Sequence, residues 1–227
     1  MDNEIIKSRV IQILDKTFSV IDEVYKNHRE DVVFQESAGS RSRLVFPRYS
    51  LKHKNDAERK AESRISEQEL RFAFVEQLNA LCDENKWPYY YSVETPTDNR
   101  YVVSKAEEPE VAKTGEGTSG AFDLAIHDEG GKRICWIEFK ALMKPEKEFA
   151  KDLLKLNTEA NKGLGFFIHL LENADDATFE SIRRDKVKNL DDVIYVCHIL
   201  KESETKESET YSIGCAHWNT LPEKRKK

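Results

Sequence analysis

The stretch FDLAIHDEGGKRICWIEFK, residues 122–140, decides the fold, because strand-like sequence flanks a pair of glycines on both sides. This pattern predicts a β-hairpin in which Gly130 and Gly131 are the two turn residues. Residue numbers paired across the strands then sum to 261, so Asp123 faces Glu138. A four-residue turn keeps this register, whereas a three-residue turn would put the acids on opposite faces.

The two opposed acids need a compensating group. Facing residues have Cβ atoms about 5 Å apart, and opposed like charges destabilise a sheet. Alternation predicts that Phe122, Leu124 and Ile126 share one face of the first strand, and the other faces of the hairpin also carry apolar residues. We therefore expect a sheet covered on both sides, in which a proton, a lysine or a metal ion compensates the carboxylates.

Composition predicts a globular protein in the cytoplasm. The 227 residues are 39% hydrophobic, which is enough for a folded core. No run approaches the roughly 18 apolar residues of a membrane span, and the first residues contain acids, unlike a secretory signal. The four cysteines lie far apart and form no CxxC motif, so we expect them to be reduced and metal-free.

Charge is unevenly distributed along the chain. The formal net charge is −6, yet residues 41–64 contain eight basic and three acidic residues. This segment could contact phosphates, although a solvated linker would have the same composition. The candidate nucleic-acid-binding residues are Arg41, Arg43, Arg48, Lys52 and Lys54.

The remaining pattern predicts alternating helices and strands. Helical spacing or caps indicate helices at 4–28, 66–85, 146–157 and 176–190. Apolar runs indicate further strands at 89–97, 163–171, 193–200 and 211–217. We divide the chain into an N-terminal helix with a basic linker (1–64), a main domain (65–220) and a basic tail (221–227).

The helix that begins at Ser66 carries two further candidate acids. Its sequence SEQE is a capping box, which gives Glu69 a structural role. Glu69 and Glu76 also lie on a stripe with alanines, whose small side chains would let the helix approach a sheet closely. Either acid could therefore deliver a carboxylate to the hairpin.

Asp123, followed after 14 residues by Glu138-Phe139-Lys140, resembles the signature of the PD-(D/E)xK nuclease superfamily. The resemblance covers roughly residues 66–171 and includes the order helix, three strands, helix, strand. It implies an α/β fold with a restriction-endonuclease-like αβββαβ core, in which helices flank a central mixed sheet. Phe122 stands where the family name has proline.

The resemblance implies a Mg²⁺-dependent endonuclease, with Mn²⁺ able to substitute. Asp123 and Glu138 would bind the ion, the carbonyl of Phe139 would complete its shell, and Glu69 or Glu76 would contribute from the helix. Lys140 lies on the same face as Glu138 and would direct its ammonium group at the attacking water or the scissile phosphate. The expected partner is nucleic acid, DNA before RNA, with a role in restriction or anti-phage defence. A homodimer is an option that the sequence leaves open.

Two other functions are weighed against the nuclease. A non-catalytic module on the same fold would bind nucleic acid or a protein, but it has no use for an opposed acid pair. A glycosidase fits two carboxylates about 5 Å apart, but Lys140 and the lack of an aromatic sugar platform argue against it.

Asp152 and Lys155 could assist at the site, although an exposed i,i+3 pair is the favoured interpretation.

Overall fold

The computed structural model describes residues 2–29, 44, 48–49, 62–63, 66–103, 109–141, 146–159, 162–171, 193–200 and 214–217. The predicted helix at 176–190 and the side chains of the basic segment lie outside these residues, including all of Arg41, Arg43, Lys52 and Lys54 and the side chain of Arg48.

Three helices and nine strands occupy the described ranges. They are α1 (Asn3–Arg29), β1 (Arg48–Tyr49), β2 (Glu62–Ser63), α2 (Glu67–Asn85), β3 (Tyr90–Val102), β4 (Glu110–Val111), β5 (Thr118–His127), β6 (Arg133–Ala141), α3 (Glu146–Glu159), β7 (Leu164–Leu171), β8 (Val193–Ile199) and β9 (Gly214–His217). No helix in these ranges is both long and apolar enough to cross a membrane.

Seven strands form one mixed sheet in the order β4-β3-β5-β6-β7-β8-β9, and β1 pairs separately with β2. Pairing is antiparallel from β4 to β6, parallel from β6 to β8, and antiparallel again between β8 and β9. A parallel pair needs a crossover, which α3 provides between β6 and β7. The α/β class and the mixed sheet are confirmed.

Helices cover both faces of this sheet. The face towards α1 and α2 buries the larger apolar cluster, which includes Phe18, Phe74, Leu124 and Ile137. The face towards α3 buries a second cluster around Trp136. Because α1 contributes to the same core as the sheet, it is part of the folded unit and more than an appended segment.

The hairpin keeps the predicted register through a different turn. Leu124 pairs with Ile137 and Ile126 with Cys135, so the numbers sum to 261, but His127 pairs with Arg133 across a bulge. Residues 128–132 connect the strands, so the two-residue Gly-Gly turn was wrong. The side chain of Asp128 organises the connection by accepting hydrogen bonds from the N–H groups of residues 130 and 132. The bulge restores the register that the longer turn would otherwise shift.

Alternation along β5 breaks at Asp123. Phe122 packs in the cluster under α3, whereas Leu124 packs in the cluster under α1 and α2. The predicted shared face of Phe122 and Leu124 was therefore wrong. Opposite this point on β3, Glu94 falls between the pairs Val93–Leu124 and Thr95–Phe122 and has a left-handed backbone, φ +47°.

Candidate functional site

Asp123 and Glu138 lie where the ladder between β5 and β6 stops. The last pair is Leu124–Ile137, and one more step of the same register places Asp123 opposite Glu138. Here the main-chain N–H of Phe139 donates to Oδ2 of Asp123, at 2.7 Å. The aspartate therefore takes the place of a strand partner, which fixes its carboxylate beside the backbone that carries Glu138.

Glu138 is fully enclosed under α3, with 2% of its side chain exposed. The Nζ atom of Lys155 lies 2.5 Å from its Oε1 as an ion pair. Lys155 also contacts Oδ1 of Asp152 at 2.7 Å and donates to the carbonyl of Ala121 at 2.8 Å. One buried ammonium group thus connects β5, β6 and α3.

Lys140 reaches the same carboxylate of Asp152 from the other side. Its Nζ lies 2.8 Å from Oδ2 of Asp152 and 3.8 Å from Oε1 of Glu67, near the start of α2. The two lysines therefore share Asp152, which holds Lys140 beside Glu138. The predicted exposed pair Asp152–Lys155 was wrong, because only 10% and 5% of these side chains are exposed.

A third cation of the site approaches Asp123 from α2. Nη1 of Arg71 lies 4.0 Å from Oδ1 of Asp123 and 2.6 Å from Oε1 of Glu94. The other guanidinium nitrogen donates to the side-chain carbonyl of Gln68. This end of the site is more open, since 25% of the Asp123 side chain and 64% of the Glu94 side chain are exposed.

Burial controls the ionisation of the two predicted metal ligands. Removal from water raises the pKa of Glu138 well above its ordinary value, the charge of Asp152 raises it further, and Lys155 opposes the shift. Burial also raises the pKa of Asp123, against the N–H of Phe139 and the charge of Lys140.

The pKa values of Lys140 and Lys155 are raised, whereas burial alone lowers the pKa of a lysine. Burial lowers the pKa of Lys140, but the charge and hydrogen bond of Asp152, together with the charges of Glu67 and Glu138, outweigh it, so the pKa is raised. For Lys155 the charge of Glu138 and then that of Asp152 also outweigh burial and raise the pKa. Both lysines are therefore cations at neutral pH.

The structure brings Asp123, Glu138 and Lys140 together. Glu69 is 9% exposed and accepts a hydrogen bond from the Ser66 hydroxyl. The two side chains therefore bond to each other, and Ser66 makes no side-chain hydrogen bond to the helix backbone of the kind that a capping box predicts. Glu76 is exposed on α2.

Sequence analysis missed Glu67 and Arg71, which α2 presents to the site. Arg71 is two residues from Glu69 and so about 200° around the helix from it. The spacing of Glu67 and Arg71, i and i+4, places both on one flank and was the available signal.

Oxygen ligands for a hard divalent cation are present around Lys155. Asp123, Glu138 and Asp152 supply carboxylates, the ligand type that Mg²⁺ binds. Among the described residues, no three His, Cys, Asp or Glu side chains form a ready-made metal cluster. The donor set fits Mg²⁺ if Lys155, which contacts both Glu138 and Asp152, gives up its position at Glu138.

Comparisons of the chain with protein-family models, with curated proteins and with solved structures found no match.

Proposed function

We propose that the chain is a Mg²⁺-dependent nuclease that hydrolyses phosphodiester bonds, with DNA as the expected substrate. The supporting observation is the convergence of Asp123, Glu138 and Lys140 where β5 and β6 stop pairing, with Lys140 held by Asp152 at 2.8 Å. Apart from the two-residue β4 at the sheet edge, the element order α2, β3, β5, β6, α3, β7 is the order expected of a restriction-endonuclease-like core. A role in restriction or anti-phage defence follows as an expectation from that resemblance alone.

The raised pKa of Lys140 limits what this residue can do. A lysine that stays protonated at neutral pH is a poor general base but a good fixed cation. Lys140 would therefore orient the attacking water or neutralise charge that develops on the phosphate. Asp123 and Glu138 would hold Mg²⁺, which when bound lowers the pKa of a water molecule and neutralises phosphate charge.

A non-catalytic module on this fold is the second candidate, and one observation favours it. Lys140, Lys155 and Arg71 already lie beside the carboxylates, with Lys155 in contact with Glu138. Such a protein would bind nucleic acid or a protein partner without cutting, and Mg²⁺ would have no effect on its stability.

A cleavage assay separates these functions. Plasmid, linear duplex DNA, single-stranded DNA and RNA would be incubated with and without Mg²⁺ or Mn²⁺. Wild type should cut only with metal, and Glu138→Gln and Lys140→Met should lose cleavage. Asp128→Asn, in the same hairpin but outside the site, is the matched control and should cut like wild type. Full cleavage by folded Glu138→Gln would refute the assignment.

Thermal unfolding gives a second readout that needs no substrate. Mg²⁺ should raise the melting temperature of wild type, because a ligand of the folded state stabilises it by mass action. Glu138→Gln should respond less, whereas Lys140→Met should keep the response while losing cleavage. An equal response of wild type and Glu138→Gln would place the ion elsewhere.

A further inference from the structure

The guanidinium of Arg71 lies at the open end of the site, where one of its carboxylate partners can be replaced by another anion. It touches two carboxylates unequally, Glu94 at 2.6 Å and Asp123 at 4.0 Å. Only 15% of the Arg71 side chain is exposed, whereas its nearer partner Glu94 is 64% exposed. An arginine held this way keeps its position while a competing anion from solvent can displace the exposed carboxylate.

The backbone of Glu94 supports a role beyond surface charge. Its φ of +47° is unfavourable for a residue with a Cβ atom, and such conformations persist where the surroundings impose them. Glu94 lies on β3 opposite Asp123, at the place where β5 loses its regular alternation. The irregular backbone thus coincides with the position that directs Glu94 to Arg71.

We propose that Arg71 binds a backbone phosphate of the nucleic acid, and that Glu94 occupies Arg71 until the phosphate displaces it. The inference rests on the proposed function and adds the group that would hold the substrate next to Asp123. Guanidinium is suited to this role, because its planar N–H groups form paired hydrogen bonds with phosphate oxygens. The exchange replaces one charge-assisted contact by another, so Arg71 is never left unpaired.

Binding without cleavage tests this directly. Fluorescence anisotropy would follow labelled duplex DNA, single-stranded DNA and RNA in Ca²⁺, with the full chain. Arg71→Ala should weaken binding about ten-fold, since it removes a charge-assisted contact. Arg71→Lys should fall between Arg71→Ala and wild type because it keeps the charge and loses the fork. Glu94→Gln should bind several-fold tighter, because the competing carboxylate is gone.

Arg133→Ala is the matched control. Arg133 is also a partly exposed arginine in an ion pair, with Asp98 at 2.5 Å, and its loss changes net charge equally. It should bind like wild type. The salt dependence of duplex binding should flatten by about 0.9 in log–log slope for Arg71→Ala and stay unchanged for Arg133→Ala.

The outcomes distinguish this inference from the proposed function. If wild type cuts nucleic acid but Arg71→Ala and Arg133→Ala bind equally well, the phosphate role of Arg71 is wrong and the nuclease stands. Weaker binding by folded Glu94→Gln would overturn the exchange with Glu94. If wild type neither binds nor cuts any of the nucleic acids, both proposals fail together. Melting curves of each variant establish that it is folded.

Discussion

The two ends of the site both pair carboxylates with cations, but they differ in how far the side chains are exposed. Under α3, Glu138, Asp152 and Lys155 are enclosed, with 2%, 10% and 5% of their side chains exposed. Towards α2, Asp123 and Glu94 remain 25% and 64% exposed beside Arg71. The ion pairs under α3 are enclosed by protein, and those towards α2 are partly exposed to solvent.

This difference in exposure predicts that losing an ion pair costs more unfolding free energy at the buried end than at the open end. Removing one partner of a buried pair leaves a charge without water, whereas an exposed pair is largely replaced by solvent. The buried end should therefore determine stability and hold Lys140 in place. The open end should exchange partners and admit substrate. Asp123 belongs to both, since its carboxylate is fixed by the N–H of Phe139 and faces Arg71.

The largest expected effect is that of Lys155→Met, which removes the cation from the buried end at nearly constant volume. Breaking a buried pair costs about 3–5 kcal/mol of unfolding free energy. The loss should be smaller at acidic pH, because a Glu138 whose pKa is already raised can then take up a proton. Urea unfolding at several pH values measures this.

Lys162→Met is the comparison for that variant. Lys162 also bridges two acids, Asp98 at 2.8 Å and Glu159 at 2.9 Å, but 43% of its side chain is exposed. Its loss should cost less than that of Lys155, because Asp98 is largely exposed and the buried carboxylate of Glu159 keeps the N–H groups of Asp98 and Asn99 that donate to it. Equal losses in the two variants would show that burial of the lysine does not set the cost of removing it.

A smaller effect is expected from Gly120→Ala, which disturbs Lys155 without deleting it. An added Cβ would lie 2.9 Å from Cδ of Lys155 and 3.2 Å from Oγ1 of Thr97. Overpacking of this kind costs about 1–3 kcal/mol. At Gly130 the nearest atom is 3.4 Å away, so Gly130→Ala is a tolerated control. If Gly120→Ala unfolds at the same urea concentration as Gly130→Ala, Lys155 is not tightly held.

The sequence predicted the register of the hairpin better than the turn that makes it. Pairing between β5 and β6 depends on apolar alternation, which can be read from the local sequence. The pair Leu124–Ile137 was predicted from it. The length of the connection depends on the side chain of Asp128 and on a bulge near Arg133. Neither is visible in a Gly-Gly pair.

The buried end could not be predicted because it depends on packing between distant elements. An i,i+3 pair such as Asp152 and Lys155 looks alike on an exposed and a buried helix face. Only the crossover between β6 and β7 places α3 over Glu138. The rotation of α2 about its axis likewise decides whether Glu67 or Glu69 approaches the site, and tertiary packing sets that rotation.

The two ends should also differ in how pH affects stability. Burial raises the pKa of Glu138 well above 4.5, so the folded chain holds this proton more tightly than the unfolded chain. Stability should therefore fall as pH rises from about 4.5 through the raised pKa, by up to about 1.4 kcal/mol per pH unit. Glu138→Gln should flatten this dependence more than Asp123→Asn, whose parent carboxyl is less enclosed. Denaturant unfolding across this range would contradict the idea if both variants kept the wild-type slope.

The smallest effect is expected at the open end, where Glu94→Gly should slightly stabilise the chain. The left-handed backbone at φ +47° costs about 1–2 kcal/mol for a residue with a Cβ atom, and glycine avoids this cost. The gain is offset by the greater freedom of glycine in the unfolded chain and by loss of the ion pair with Arg71, each worth up to about 1 kcal/mol. Glu94→Gln keeps the strain while losing the charge, so the difference between the two variants isolates the backbone term. If Glu94→Gly unfolds at a lower urea concentration than Glu94→Gln, the left-handed backbone of Glu94 does not destabilise the fold.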